Sequence, residues 1–308
     1  MKKAICTTTI NPPSKALLEF SSFRGWDLIV ALDINSKEFN LSGCTVLSVE
    51  DQEQMAPNLS AAIGFKSIQR RNFASLYALR EGYEKIAFVD DDNIPYEYWD
   101  DFASQNLFTG NQYTTDRRIF DPLAIDPKLL SKRISHRGIP IEYYGSEYNI
   151  SFKGKSSIIP DVVAMLWDGD WDVNAIDRIR ESCFGKIEVL EPYFSEKISP
   201  FNSQNTVMTA NAAREYFLYP HIGRFDDILA SYVLTIAGFK VVYTPPTVNQ
   251  VRNPHSLEAD LKNELWGYHH IESIIDDLSR GIDISDISAI PDQTKIALES
   301  WRCEIEKI

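Results

Sequence analysis

The stretch Lys85-Ile86-Ala87-Phe88-Val89-Asp90-Asp91-Asp92 sets a short apolar run directly against three carboxylates. An apolar run without alternation reads as a strand buried on both faces of a parallel sheet. Adjacent carboxylates at its end repel one another unless a positive charge sits among them. In extended backbone alternate side chains share a face, so Asp90 and Asp92 point together while Asp91 turns aside. Mg²⁺ or Mn²⁺ suits such oxygens, and these ions usually take one or two protein carboxylates plus substrate phosphates. The triplet is therefore a candidate site for a divalent cation facing a diphosphate. A solvated acidic turn is the competing reading of the triplet taken alone.

Working outward strengthens the first reading. Residues 4–9 form a β-prone run that stops at Asn11-Pro12-Pro13, and 14–23 carry apolar residues at helical spacing. Residues 26–32 form a second apolar run, ending at Asp33, and 44–49 a third. A helix over about 68–82 closes on Gly82 before the Asp-bearing strand. The order β-α-β-β-α-β predicts an open α/β sheet, mostly parallel and flanked by helices. Ligands bind such sheets beyond the carboxyl ends of the strands. Thr7, Thr8, Thr9, Asp33 and the triplet all fall there, so the threonines and Asp33 join Asp90 and Asp91 as candidate contacts to a nucleotide.

The remainder fits one domain. Residues 96–199 are irregular and rich in aromatics, Asp, Pro and Gly; 239–243 form a strand ended by Pro245-Pro246; 255–280 form an amphipathic helix. We expect residues 1–280 to make one unit, with a nucleotide-binding half over about 1–95 and an acceptor half over 96–280. A helical tail over 281–308 follows. With 308 residues, 44% hydrophobic and 24% charged, the chain can bury a normal core. A net charge of −13 without a basic cluster argues against nucleic acid as a partner. Four scattered cysteines, no signal-like start and no membrane-spanning run lead us to expect a cytoplasmic protein. Peripheral contact with a membrane and the oligomeric state are left open.

Other residues carry chemistry on their own terms. Arg71 could neutralise a diphosphate, or simply sit on a helix surface. Asp226-Asp227 opens a helix, so one member could be an N-cap, or the pair could include a general base. Asp161 is a further catalytic candidate. The stretch from Trp167 to Asp172 offers aromatic faces and carboxylates to a sugar, Trp167 foremost, or forms an acidic turn. His136, His221, His269 and His270 receive no role.

These residues also carry a resemblance. Ala87 to Asp92, with Gly223-Arg224-Phe225-Asp226-Asp227-Ile228, resembles the reversibly glycosylated polypeptides, which act as UDP-arabinopyranose mutases. More of the chain resembles the plant STELLO glycosyltransferase-like proteins. The similar stretches are Gly25-Trp26, Gln69-Arg70-Arg71-Asn72, Arg137-Gly138-Ile139-Pro140, Ile159-Pro160-Asp161-Val162, Pro200 to Thr206 and Val241 to Val248. The resemblance implies a GT-A (Rossmann-like) fold, a nucleotide sugar, UDP-linked by expectation, and Mn²⁺ or Mg²⁺. Two departures stand out. The mutases have an arginine after the Arg-Gly-x-Pro segment, whereas Ile141-Glu142-Tyr143-Tyr144-Gly145 has none, which favours transfer to an external acceptor. The relatives also place a histidine past the last sheet strand, where this chain has Asn249, with His255 as a substitute metal ligand. The expected activity is a metal-dependent hexosyl or pentosyl transfer to a glycan or lipid-linked acceptor. A UDP-sugar mutase and a non-catalytic sugar-nucleotide-binding protein are the alternatives.

Overall fold

A computed structural model describes residues 1–144, 147–252 and 256–308. The first elements follow the predicted order: β1 (Lys3–Thr8), α1 (Lys15–Phe20), β2 (Trp26–Ala31), β3 (Thr45–Leu47), α2 (Val49–Met55), α3 (Pro57–Ile63), α4 (Arg71–Arg80) and β4 (Lys85–Val89). A short β5 (Asn93–Pro95), α5 (Trp99–Ala103), β6 (Phe108–Thr115), α6 (Pro127–Lys132) and β7 (Ile150–Ile158) come next. Then come β8 (Val162–Asp170), α7 (Ala175–Arg180), β9 (Phe184–Gly185), β10 (Tyr193–Ser195), β11 (Asn205–Thr209) and α8 (Ala210–Glu215). The last elements are α9 (Asp226–Ile236), β12 (Val241–Gln250), α10 (Leu257–Ser279) and α11 (Asp292–Ile305).

Ten strands form one continuous path in the order β3-β2-β1-β4-β11-β8-β12-β10-β6-β7, with β5 on β12 and β9 on β8. Strands β3, β2, β1 and β4 are parallel. Strand β11 then runs antiparallel between β4 and β8, while β8 and β12 are parallel. The architecture is α/β with one large central sheet, as expected. The sheet as a whole is mixed rather than mostly parallel, because β10 on β12 and β7 on β6 are antiparallel too.

Strand β4 is buried along its whole length, as its unalternating apolar run requires. Helix α4 is buried on nearly every side, Arg71 and Asn72 included, because it packs against both β1 and β2. The prolines at 245 and 246 do not end β12. The strand runs on to Gln250, with a register irregularity against β8 between Thr244 and Val248 that absorbs the missing donors. That extension matters, for it carries Gln250 to the site. Helix α11 packs on α3; its Trp301 stacks on Phe217 and donates its indole N–H to the Arg214 carbonyl at 2.9 Å. Among the described residues no helix is long and apolar enough to cross a membrane.

Candidate functional site

Beyond the carboxyl end of β4 the three aspartates diverge. Asp90 leans onto α4, where the buried Arg71 forms an ion pair with it. The same guanidinium donates to the Ser203 carbonyl at 2.9 Å and hydroxyl at 3.0 Å. Asp91 turns away and accepts from the Thr9 hydroxyl and from Asn11 Nδ2 at 3.3 Å. Asp92 lines a cavity together with Asp90, and its carbonyl accepts from Val251 N at 2.9 Å, drawing the end of β12 alongside. Asp90 and Asp92 thus both line the cavity as expected, but through a turn closed by Asn93 N on the Asp90 carbonyl at 3.3 Å rather than through an extended segment.

The facing wall comes from the start of α9. Its entry is fixed by Gly223, at φ +68°, where a Cβ would lie 2.0 Å from the Asn263 carbonyl oxygen of α10. Only glycine permits that approach. The Phe225 ring fills the space that Gly267 leaves on α10, and Arg224 then reaches Asp260 and Glu264 at 3.1 and 3.0 Å. The N-cap of α9 is Phe225, so neither aspartate caps the helix. Asp227 is held by Arg137 at 3.0 and 3.1 Å and by Ser203 N at 2.9 Å. Arg137 spends its other edge on Asp172, at 2.9 and 3.2 Å. Asp172 also accepts from Arg224 at 2.9 Å, Arg252 at 3.0 Å and Asn202 at 3.1 Å. One network therefore runs from Asp90 through Arg71, Ser203, Asp227 and Arg137 to Asp172.

The electrostatics separate these carboxylates. Burial alone would push Asp172 up, but the guanidiniums of Arg137, Arg252 and Arg224 reverse this and hold it well below the usual carboxylate range. Asp226 has no such partner. Its hydrogen bond comes from neutral Gln69 Nε2, at 2.6 Å. Burial, with the neighbouring Asp227 charge, pushes Asp226 up to about 7. A carboxyl that titrates there can take or give a proton at neutral pH. Asp90 is also raised by burial, with Arg71 opposing.

The cavity between the walls measures about 230 Å³. Among the described residues no group of three His, Cys, Asp or Glu side chains is gathered as a complete metal cage. Two carboxylates on one cavity wall nevertheless fit a hard cation whose remaining ligands are phosphates and water. Asp90 and Asp92 would hold it. His255 lies outside the described residues.

Several expected contacts are placed elsewhere. The hydroxyls of Thr7 and Thr8 donate to the carbonyls of Val89 and Ala31 at 2.8 and 2.7 Å, tying neighbouring strand ends. Asp33 accepts from Ile34 N at 2.6 Å and Ser67 N at 2.8 Å, so its carboxylate pins a turn. Trp167 is buried in the core with its ring against His136, and offers no face to a sugar. Asp161 precedes β8 at its amino end and accepts from Lys240 N at 2.9 Å. Eight residue steps of strand, roughly 26 Å, separate that end from the end near the site. These placements correct the donor-binding expectation for Thr7, Thr8, Asp33 and Trp167 as side chains, and the catalytic one for Asp161. Of the Trp167 to Asp172 stretch, Asp172 is the member that reaches the cavity. Arg137, Arg224, Arg252, Gln69 and Ser203 carry roles that the sequence reading did not assign. The partners of Arg137 lie 35 and 90 residues away, so only an unbalanced count of carboxylates in these segments could have pointed to it.

No family model matches the chain. The probable glycosyltransferase STELLO2 of Arabidopsis thaliana is 22% identical over 294 residues, covering 84% of this chain and 38% of that protein. STELLO1 of the same plant is 21% identical over 279 residues, 81% of this chain and 35% of that protein. The chain thus spans a little over a third of the length of the curated relatives it matches. Two solved structures show distant likeness. One is a mycobacterial protein (14% identity, TM-score 0.42, 92% of this chain and 77% of that chain). The other is residues 1–349 of S. aureus TarS in complex with UDP-GlcNAc (9% identity, TM-score 0.37, 100% and 91%). Over more than four-fifths of its length, then, this chain is similar to the probable glycosyltransferases STELLO2 and STELLO1, the resemblance that its ordered motifs led us to expect.

Proposed function

We propose that the chain is a metal-dependent glycosyltransferase that moves a sugar from a UDP-linked donor to the hydroxyl of a glycan or glycoconjugate acceptor. One observation carries this reading: Asp90 and Asp92 share a cavity with an aspartate pair whose first member is pushed up to about 7. A divalent cation bound by Asp90 and Asp92 supplies the charge that offsets the departing diphosphate. Arg71 keeps Asp90 in place and adds a fixed positive charge behind it. Asp226 takes the proton of the attacking hydroxyl, with Gln69 fixing the orientation of its carboxyl. Asp227, held between Arg137 and Ser203, presents its carboxylate to the positive character that develops on the sugar carbon.

The test is a screen of UDP-sugars with Mn²⁺ and mixed glycan acceptors, reading released UDP and any ring-isomerised donor. Acceptor-dependent UDP release that EDTA abolishes supports the reading. Donor isomerisation without acceptor replaces transfer by mutase activity. Donor binding with neither reaction leaves a binding protein and sinks the catalytic claim.

A further inference from the structure

Two carboxamides that line the cavity each have one end without a hydrogen-bond partner among the described residues. Gln204 and Gln250 are each 3% exposed, and both line the cavity. Nε2 of Gln204 and Oε1 of Gln250 have no hydrogen-bond partner among the described residues. Buried amide ends are normally paired, because leaving one unpaired costs its full desolvation. Two such ends on one small cavity point to a ligand that supplies the partners.

Both residues stand on rigid supports. The Gln204 carbonyl accepts from Asp90 N at 3.1 Å and from Asn93 Nδ2 at 2.9 Å, so its backbone is anchored to the cation-side segment. Gln250 is locked in register between Asn93 of β5 and Gly169 of β8. A Cβ on Gly169 would lie 2.3 Å from the Gln250 carbonyl oxygen, so strand β8 approaches here as only glycine allows. Gln250 is therefore held by a strand, and Gln204 by the anchored bend that leads into β11.

The chemistry of the partner follows from its surroundings. Each carboxamide offers both a donor and an acceptor, and a sugar hydroxyl also does both, so the match holds whichever way each amide is turned. A cavity of about 230 Å³ is smaller than most drug-sized sites and suits a single ring. Its arginines are already paired: Arg137 with Asp172 and Asp227, Arg252 with Asp170 and Asp172, Arg224 with Asp260 and Glu264. A carboxylate on the ring would face Asp172, Asp226 and Asp227, and would compete with them for guanidiniums that already hold carboxylate partners.

Resting on the nucleotide-sugar reading above, we propose that Gln204 and Gln250 form a hydroxyl-reading pair that selects the donor's sugar, favouring a neutral hydroxylated ring over a uronic acid. The test is calorimetric titration of the full chain in MnCl₂ with UDP, UDP-glucose, UDP-xylose and UDP-glucuronate. At least one neutral UDP-sugar binds the wild type more tightly than UDP, and UDP-glucuronate does not. Gln204→Met and Gln250→Met each reduce that neutral-sugar advantage about 3- to 10-fold, the worth of a hydrogen bond, and change UDP affinity less than about 2-fold. Their Tm stays within about 3 °C of wild type or rises, because an unserved amide is being removed. If a Met variant melts lower than that, the matching Gln→Asn variant decides in its place. It keeps the amide, and must keep UDP affinity while losing the sugar advantage.

Equal losses for UDP and UDP-sugar, no loss for either, or tightest binding of UDP-glucuronate overturns the inference and leaves the transferase reading intact. Neutral sugars that add nothing to UDP in the wild type do the same. No binding of UDP at all overturns the transferase reading and this pair with it.

Discussion

The two acidic clusters differ in how they handle charge. At the end of β4 each aspartate has a separate fate: Asp90 meets Arg71, Asp91 is held by Thr9 and Asn11, and Asp92 faces the cavity. At the start of α9 the division is between one carboxylate clamped by Arg137 and one left to a neutral amide. The turn that follows β4, closed by Asn93 N on the Asp90 carbonyl, throws the three side chains in separate directions. A helical first turn keeps neighbours close, and two adjacent carboxylates there raise each other's proton affinity unless a cation intervenes. Here the cation is given to Asp227, and the proton to Asp226.

The sharpest way to break this comparison is Asp226→Asn. A general base contributes about 10²- to 10⁴-fold to kcat, so on the proposed role the variant should lose that much. The wild-type rate should climb with pH through about 7, as Asp226 loses its proton, and that limb should vanish in the variant. Stability should move the other way. A carboxyl raised in the folded state binds more protons than in the unfolded chain, so wild-type stability falls as pH rises from about 4 to about 7. Asp226→Asn removes that loss, and its Tm should exceed wild type more at pH 8 than at pH 5. An unchanged pH–rate profile would return the pair to a structural role.

The second test sets one buried arginine against another. Arg137 serves two carboxylates that are both buried, while Arg71 serves Asp90, whose side chain is 25% exposed. Removing one partner of a buried pair costs about 3–5 kcal/mol, since the remaining charge is stranded. Arg137→Met should therefore lower stability by at least that amount in urea melts, and Arg71→Met by less, because water can reach Asp90. Equal losses would mean that the two regions are not electrostatically distinct.

Much of the triplet's side of this comparison was legible in the sequence. The apolar run of β4, its place after a βαβ lead-in and the acidic triplet at its end are all local, and local pattern is what a sequence displays. The turn that carries Asp90 and Asp92 to one cavity is set by Asn93 instead of by extended backbone. The helix-side network was legible only in part. Asp226 and Asp227 stand adjacent in the chain, but Arg137 reaches them over 90 residues, and Asp172, Arg224 and Arg252 meet only through the sheet. Thr7, Thr8 and Asp33 show the reverse error. They do lie at the carboxyl ends of strands, yet a polar side chain at a strand end must first satisfy nearby backbone groups, and these three do so. Position at the right edge of a sheet is thus necessary for a binding role and far from sufficient. The continuation of β12 past two prolines escaped because a bulge is decided by the neighbouring strand.

The remaining tests separate the members of the triplet. Asp92→Asn keeps the shape of the side chain and removes a full charge from the cavity wall, so UDP affinity in Mn²⁺ should fall roughly 10- to 100-fold, with the metal-free affinity little changed. Asp91→Ala is the smaller perturbation. It takes away the hydrogen bonds from Thr9 and Asn11, which join the end of β1 to the triplet, and each is worth about 1 kcal/mol. Thermal unfolding should move down by a few degrees, while Mn²⁺-dependent UDP affinity stays within about 3-fold of wild type. If Asp91→Ala instead weakens UDP as much as Asp92→Asn does, then the carboxylates act as one charge cloud rather than as three assigned groups. The contrast with the helix pair would then be one of degree only.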